Sequence, residues 1–94
     1  MLNNSLVNIK NNIPQFVEIN YTFPNTGYCS IPYPSGYTKD NCFIVSYMSY
    51  NANLKNWSEE AGADQSICRL FDNRIEVYKQ NSDWTKCKLI LGKM

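Results

Sequence analysis

The residues that could perform catalysis in this chain are few, and they are carboxylates. The sequence contains no histidine, which removes the commonest general base and the commonest protein metal ligand. Acidic residues occur at Glu59, Glu60 and Asp64, and again at Asp72 and Glu76. Paired carboxylates hydrolyse glycosides only when a cleft holds the substrate between them, and 94 residues leave little room for one. We therefore expect a charged loop and a solvated strand face at these positions, and no enzymatic activity.

The four cysteines do not form a metal-binding pattern. Cys29, Cys42, Cys68 and Cys87 are separated by 13, 26 and 19 positions, and no C-x-x-C pair occurs. Because a structural zinc ion usually takes two ligands from one tight turn, neither a metal nor another cofactor is expected. Each cysteine lies in an apolar or alternating stretch, which favours buried free thiols that pack as small hydrophobic groups. Two disulfides are the second interpretation, since the even count allows them.

Residues suited to recognition are much better represented. The chain has seven tyrosines, two tryptophans and thirteen asparagines, which give rigid contact area and adaptable hydrogen bonds in binding surfaces. Sugar rings stack on such aromatic side chains, and adjacent amides can bind hydroxyl groups. The candidate ligand-binding residues are Tyr33, Tyr37, Tyr50, Asn56, Trp57 and Trp84. In so small a domain, half or more of these rings are expected to complete the core or a subunit contact instead.

Period-two alternation of apolar and polar residues predicts the strands that must position these side chains. Asp72 and Asn73 are typical of the tip of a tight hairpin. Residues 51–65 are predicted to be the longest non-strand stretch, with at most a short helical turn beginning at Ser58. The predicted strands cover residues 13–23, 28–33, 42–50, 66–71, 74–79 and 86–91. The fold class is therefore all-β, a small antiparallel β-sandwich or jelly-roll-like knob of about six strands.

The strand predicted over residues 42–50 is apolar on both of its faces. Strict alternation places Phe43, Val45 and Tyr47 together on one face. Such a strand is either central and covered on both faces, or covered on one face and buried between subunits on the other.

Length and charge limit the organisation of the chain and the class of its partners. We expect one domain over residues 13–94, preceded by a lead-in or linker to an upstream region at residues 1–12. The nine Lys and Arg residues are scattered and the net charge is +1, so no nucleic-acid partner is expected. No apolar run approaches the ~18 residues that span a bilayer. Since no signal peptide is visible either, membrane insertion is not expected.

Residues 31–48, IPYPSGYTKDNCFIVSYM, resemble a pattern in C-terminal domains of tail-fibre and receptor-binding proteins from phages and prophages of Gram-positive or gut bacteria. Those domains often carry a YPSG-aromatic-x-K-D-N-C loop before an apolar strand, and they tend to end on a strand like Lys86–Lys93. The stretch 33–42 is the distinctive part. The resemblance implies a homotrimeric knob at the tail-fibre tip of the virion, made in the host cytoplasm. Its implied partner is a bacterial surface polysaccharide or protein.

Three functions follow from these observations. The first is a non-enzymatic receptor-binding tip domain that attaches to a cell-surface glycan or protein through the candidate aromatic residues. The second is a small intracellular phage protein that binds and inhibits a host or defence protein. The size of the chain and its reduced cysteines are equally consistent with this second function. The third is an enzyme such as a small glycan hydrolase, which the absence of histidine disfavours.

Overall fold

The computed structural model describes residues 14–59 and 68–94, which form two antiparallel β-sheets. No helix occurs in these two ranges, so none of the described residues lies in a helix that could cross a membrane. The strands are β1 (Gln15–Thr22), β2 (Gly27–Ile31), β3 (Phe43–Asn51), β4 (Asn56–Ser58), β5 (Cys68–Leu70), β6 (Ile75–Lys79) and β7 (Trp84–Lys93). The predicted all-β fold is confirmed, with seven strands where about six were expected.

The two sheets differ in size. The first sheet has the strand order β1-β7-β3-β4, and the second has the order β2-β6-β5. The long strand β7 lies inside the first sheet, where Leu91 pairs with Val17 on one side and Leu89 pairs with Tyr47 on the other. Alternation then directs Cys87, Leu89 and Leu91 to the same inner face, as their spacing predicts.

The core lies between the inner faces of the two sheets. Ile75 and Val77 of the second sheet are fully buried, as are Leu89 and Leu91 of the first. All four belong to one hydrophobic cluster. Burial of such side chains stabilises the fold by about 1.5–3 kcal/mol each. The arrangement is a small β-sandwich, and the predicted architecture is confirmed.

Strand β4 corrects the prediction that residues 51–65 contain no strand. Asn56, Trp57 and Ser58 pair with Asn51, Tyr50 and Ser49, so this short strand extends the first sheet beyond β3. Three residues give too little alternation to be recognised in the sequence. The predicted hairpin around Asp72 and Asn73 is confirmed, since β5 pairs with β6 and the Phe71 N–H donates to the Arg74 carbonyl at 2.9 Å.

A β-bulge in β3 corrects the predicted faces of that strand. Ile44 pairs with Leu91 while Ser46 pairs with Ile90, so Val45 is the extra residue. The register shift places Phe43 and Tyr47 on opposite faces of the sheet, because Phe43 pairs with Gly92 and Tyr47 pairs with Leu89. Tyr47 is buried in the core, whereas Phe43 and Val45 are exposed.

Some expectations lie outside the described residues. They are the lead-in at residues 1–12, the start of the first predicted strand at Ile13, the carboxylates Glu60 and Asp64, the helical turn beyond Glu59, and the start of a predicted strand at residues 66–67.

Candidate binding surface

The hairpin that joins β3 to β4 is fixed by a buried asparagine. Asn51, the last residue of β3, is 6% exposed. Its Oδ1 accepts hydrogen bonds from the backbone N–H groups of Asn53 and Leu54 at 3.0 and 2.9 Å. The Ala52 N–H donates to the Asp83 carbonyl at 2.7 Å, which ties the start of the loop to the chain before β7. The loop closes at Lys55 with a positive φ of 57°, and this geometry sets the register of β4.

That register places two aromatic side chains side by side on the outer face of the first sheet. Tyr50 pairs directly with Trp57 across β3 and β4. Their ring centroids lie 5.3 Å apart with an interplanar angle of 58°, a geometry in which aromatic rings attract one another. Trp57 is 37% exposed. This aromatic pair, Tyr50 and Trp57, therefore combines a partly exposed ring with an exposed one on the face of the sheet.

Two lysines of β7 extend over the aromatic pair. The Lys86 Nζ lies 5.0 Å from the Tyr50 centroid and 5.7 Å from that of Trp57. The Lys88 Nζ lies 4.8 Å from the Trp57 centroid. These distances are in the range of cation–π attraction. Lys86 also pairs with Thr22 and Tyr50, so one row of outward-facing residues crosses all four strands of the sheet.

Asn56 borders the aromatic pair and lies on the other face. It pairs with Asn51, whose side chain points inward, whereas Trp57 pairs with the outward Tyr50. Asn56 is nevertheless exposed at the sheet edge. Tyr50, Asn56 and Trp57 are thus the three predicted residues that the structure brings together.

The other three predicted residues stabilise the fold. Trp84 is 9% exposed, belongs to the core and begins β7, which corrects the predicted start of the last strand at residue 86. Tyr33 is partly buried, and its hydroxyl donates to the Phe71 carbonyl at 2.6 Å. Tyr37 packs against the core. The Lys93 Nζ lies 5.0 Å from the Tyr37 centroid and donates to the Gly36 carbonyl at 2.7 Å. These contacts attach the YPSG loop to the body of the sandwich.

The opposite end of the same outer face is apolar. Gly92 of β7 lies between Phe16 of β1 and Phe43 of β3 in a single row. An added Cβ on Gly92 would lie 2.6 Å from the Phe43 ring and 3.0 Å from the Val45 Cγ2, so both side chains cover the glycine. Phe16 is 62% exposed, Phe43 45% and Val45 48%. We call Phe16, Phe43 and Val45 the apolar patch.

The outer face of the second sheet carries a different aromatic cluster, whose residues are not among the six predicted from the sequence. Tyr28 and Tyr78 are cross-strand partners with ring centroids 4.9 Å apart. Arg69 lies 4.9 Å from the Tyr28 centroid, and its guanidinium donates to Glu76 at 2.6 Å. The arginine of this cluster is therefore paired with a carboxylate, whereas no carboxylate in residues 14–59 and 68–94 forms an ion pair with the lysines beside Trp57.

The titratable core groups offer no activated nucleophile. Burial raises the pKa of Cys68 to about 12 and that of Cys87 to about 11, so both thiols stay protonated at neutral pH. All four cysteines are free. Residues 14–59 and 68–94 contain neither a pocket nor a group of three or more Cys, Asp or Glu residues placed to hold a metal ion. What this part of the chain offers chemically is a stacking surface flanked by cations.

Comparison of the chain with protein-family models, with curated proteins and with solved structures finds no match in any of the three.

Proposed function

We propose that this chain is a non-enzymatic attachment domain, the tip of a phage tail fibre, which binds a glycan on the bacterial surface through the aromatic pair. The observation that carries the proposal is the pairing of the partly exposed Tyr50 with the exposed Trp57, whose ring centroids lie 5.3 Å apart on a sheet face. Sugar rings carry apolar C–H faces, and a rigid aromatic platform binds them at a low cost in conformational entropy.

The rigidity of the platform supports this function. Asn51 holds the β3–β4 loop through two hydrogen bonds, and β4 is paired with β3 along its whole length. A side chain on such a hairpin is already in its binding geometry, so little free energy is lost in ordering it when ligand binds.

The apolar patch supports an oligomeric tip, which we propose to be a homotrimer. Exposed aromatic and branched side chains clustered on one face are typical of contacts between protein subunits. Phe16, Phe43 and Val45 cluster at the end of the outer face remote from Trp57. In this arrangement neighbouring copies cover the apolar patch and leave the aromatic pair open to the cell surface.

Binding of purified, fluorescently labelled protein to intact Gram-positive and gut bacterial cells tests the proposal. Trp57→Ala and Tyr50→Ala should each reduce binding at least about fivefold, because the loss of one stacking ring commonly costs about 1–3 kcal/mol. Tyr28→Ala is the matched control, since it removes an exposed tyrosine that also stacks on a ring, on the opposite sheet. It should leave binding unchanged.

Two results would overturn the proposal. One is cell binding that survives Trp57→Ala and is lost in Tyr28→Ala, which would move the site to the second sheet. The other is the absence of binding to every cell type, combined with capture of one host cytoplasmic protein, which would favour the intracellular inhibitor. Light scattering provides the separate test of the trimer, and a monomer at micromolar concentration would contradict it.

A further inference from the structure

The charges around the aromatic pair indicate which class of ligand it binds. Lys86 and Lys88 lie two positions apart on β7 and face the same side of the first sheet. Both ammonium groups approach the Trp57 ring, at 5.7 and 4.8 Å from its centroid. A ligand stacked on the indole would therefore have two cations within reach of its substituents.

Neither lysine is neutralised by a carboxylate among the described residues. The ion pairs in residues 14–59 and 68–94 join Lys39 to Asp40 and Asp72, and join Arg69 and Arg74 to Glu76. The cross-strand neighbours of Lys86 and Lys88 are all uncharged: Thr22, Asn20, Met48 and Tyr50.

Glu59, which follows β4 two positions after Trp57, and Glu18 of β1 are acids near this face, and neither forms an ion pair with Lys86 or Lys88. Glu18 pairs with Ile90, one row beyond Lys88, and accepts a hydrogen bond from the Asn20 amide at 3.1 Å. Two neighbouring cations that repel each other and form no ion pair with a described carboxylate favour an anionic ligand at this end of the face. The net charge of the whole chain is only +1, so any attraction for an anion here comes from these two lysines and not from the charge of the chain.

We infer that the ligand is an anionic glycan, whose sugar ring stacks on Tyr50 and Trp57 while Lys86 and Lys88 bind its phosphate or carboxylate groups. The inference rests on the proposed function and specifies its substrate class. A neutral glycan would leave both cations unpaired, whereas a polyanion pairs with them and releases bound counterions. A single-stranded nucleic acid also combines rings with phosphates, but its backbone needs a longer basic track than two lysines provide.

Four purified probes test the inference on the intact chain. They are a glycerol-phosphate teichoic acid, polygalacturonic acid, dextran and a single-stranded thymidine oligonucleotide. Binding to at least one of the two anionic glycans should exceed binding to dextran and to the oligonucleotide at least about tenfold, and raising NaCl from about 50 to about 500 mM should weaken it. The phosphate and carboxylate polymers distinguish the two sources of negative charge.

Lysine variants separate this inference from the proposed function. Lys86→Gln/Lys88→Gln should reduce anionic-glycan binding about tenfold and remove most of its salt dependence. Lys79→Gln, on the second sheet, should have no effect.

If Trp57→Ala abolishes binding while the double lysine variant binds normally, or if dextran binds as well as the acidic polymers, the anionic class is wrong and the attachment function stands. If Trp57→Ala has no effect, the attachment site itself is wrong. Preferred binding of the oligonucleotide, or no binding of either acidic polymer, also overturns the inference.

Discussion

The backbone N–H of Leu54 donates a 2.9 Å hydrogen bond to the side-chain oxygen of the buried Asn51. The Asn53 N–H donates to the same oxygen at 3.0 Å. One side chain thus satisfies two backbone donors in the turn that brings Trp57 opposite Tyr50. The inward-facing Asn51 therefore positions the outward-facing aromatic pair.

Asn51→Ala should therefore loosen the hairpin and weaken binding. The loss of an acceptor from two backbone donors should lower the free energy of unfolding by about 1–2 kcal/mol, as measured by urea denaturation. Asn51→Asp retains the acceptor oxygens, and Asn53→Ala truncates an exposed neighbour. Both variants should lose less unfolding free energy than Asn51→Ala. Equal losses in Asn51→Ala and Asn53→Ala would show that the Asn51 side chain does not fix the turn.

Lys55→Gly should stabilise the domain. Lys55 has a φ of 57°, and a residue with a Cβ pays about 1 kcal/mol or more for that conformation. Glycine removes this cost, but it also increases the conformational entropy of the unfolded chain, which offsets part of the stabilisation. The expected net increase in unfolding free energy is about 0.5 kcal/mol. Lys55→Ala keeps the Cβ and serves as the control, so a matching gain in that variant would refute the backbone explanation.

Gly92→Ala should displace the Phe43 ring. The new Cβ would lie 2.6 Å from two ring atoms, closer than carbon atoms pack, so the ring must move. We expect a loss of about 1 kcal/mol in unfolding free energy. The double variant Gly92→Ala/Phe43→Ala should lose clearly less than the sum of the single losses. Additive losses would mean that the ring does not rest on Gly92.

Stability should fall at alkaline pH because of the buried thiols. Burial raises the pKa of Cys87 from its ordinary 9.0 to about 11. Between these values the unfolded chain loses the proton while the folded chain keeps it, so rising pH favours unfolding. The contribution of Cys87 is complete below pH 9 and is lost as the pH rises towards 11.

Comparison with a variant isolates the share of Cys87 in this effect. From pH 8 to pH 10, the free energy of unfolding should fall by about 1 kcal/mol less in Cys87→Ala than in the parent chain. The partly buried Cys68, whose pKa burial also raises, to about 12, should keep contributing in both proteins. Parallel pH profiles for the two proteins would contradict the assignment to Cys87.

The sequence predicts the strands best where alternation is uninterrupted. Cys87, Leu89 and Leu91 alternate with polar or partly exposed residues and share the inner face, as expected. The same rule fails in β3, because the bulge at Val45 reverses the faces of the residues that follow. Nothing local in the sequence specifies a bulge, since it results from the pairing of β3 with β7.

The candidate site was only partly predictable for a related reason. Exposed Trp57 and buried Trp84 both lie in polar surroundings in the sequence, and long-range pairing decides between them: Trp84 pairs with Asn51 at the start of β7. The cluster of Tyr28 with Tyr78 likewise depends on the register of β2 and β6. The shared face of Lys86 and Lys88 was predictable from the sequence, because residues two positions apart in a strand point to the same side.

The two indole groups of the chain allow the most direct test of the central claim, that the aromatic pair is the binding surface. Trp57 is 37% exposed and Trp84 is 9% exposed. The buried Trp84 indole therefore serves as an internal reference for the exposed Trp57 indole. In 15N-correlated NMR spectra, titration with a glycan that the domain binds should shift the indole N–H signal of Trp57 and leave that of Trp84 in place. A saturable interaction that leaves the Trp57 signal unmoved would contradict the account.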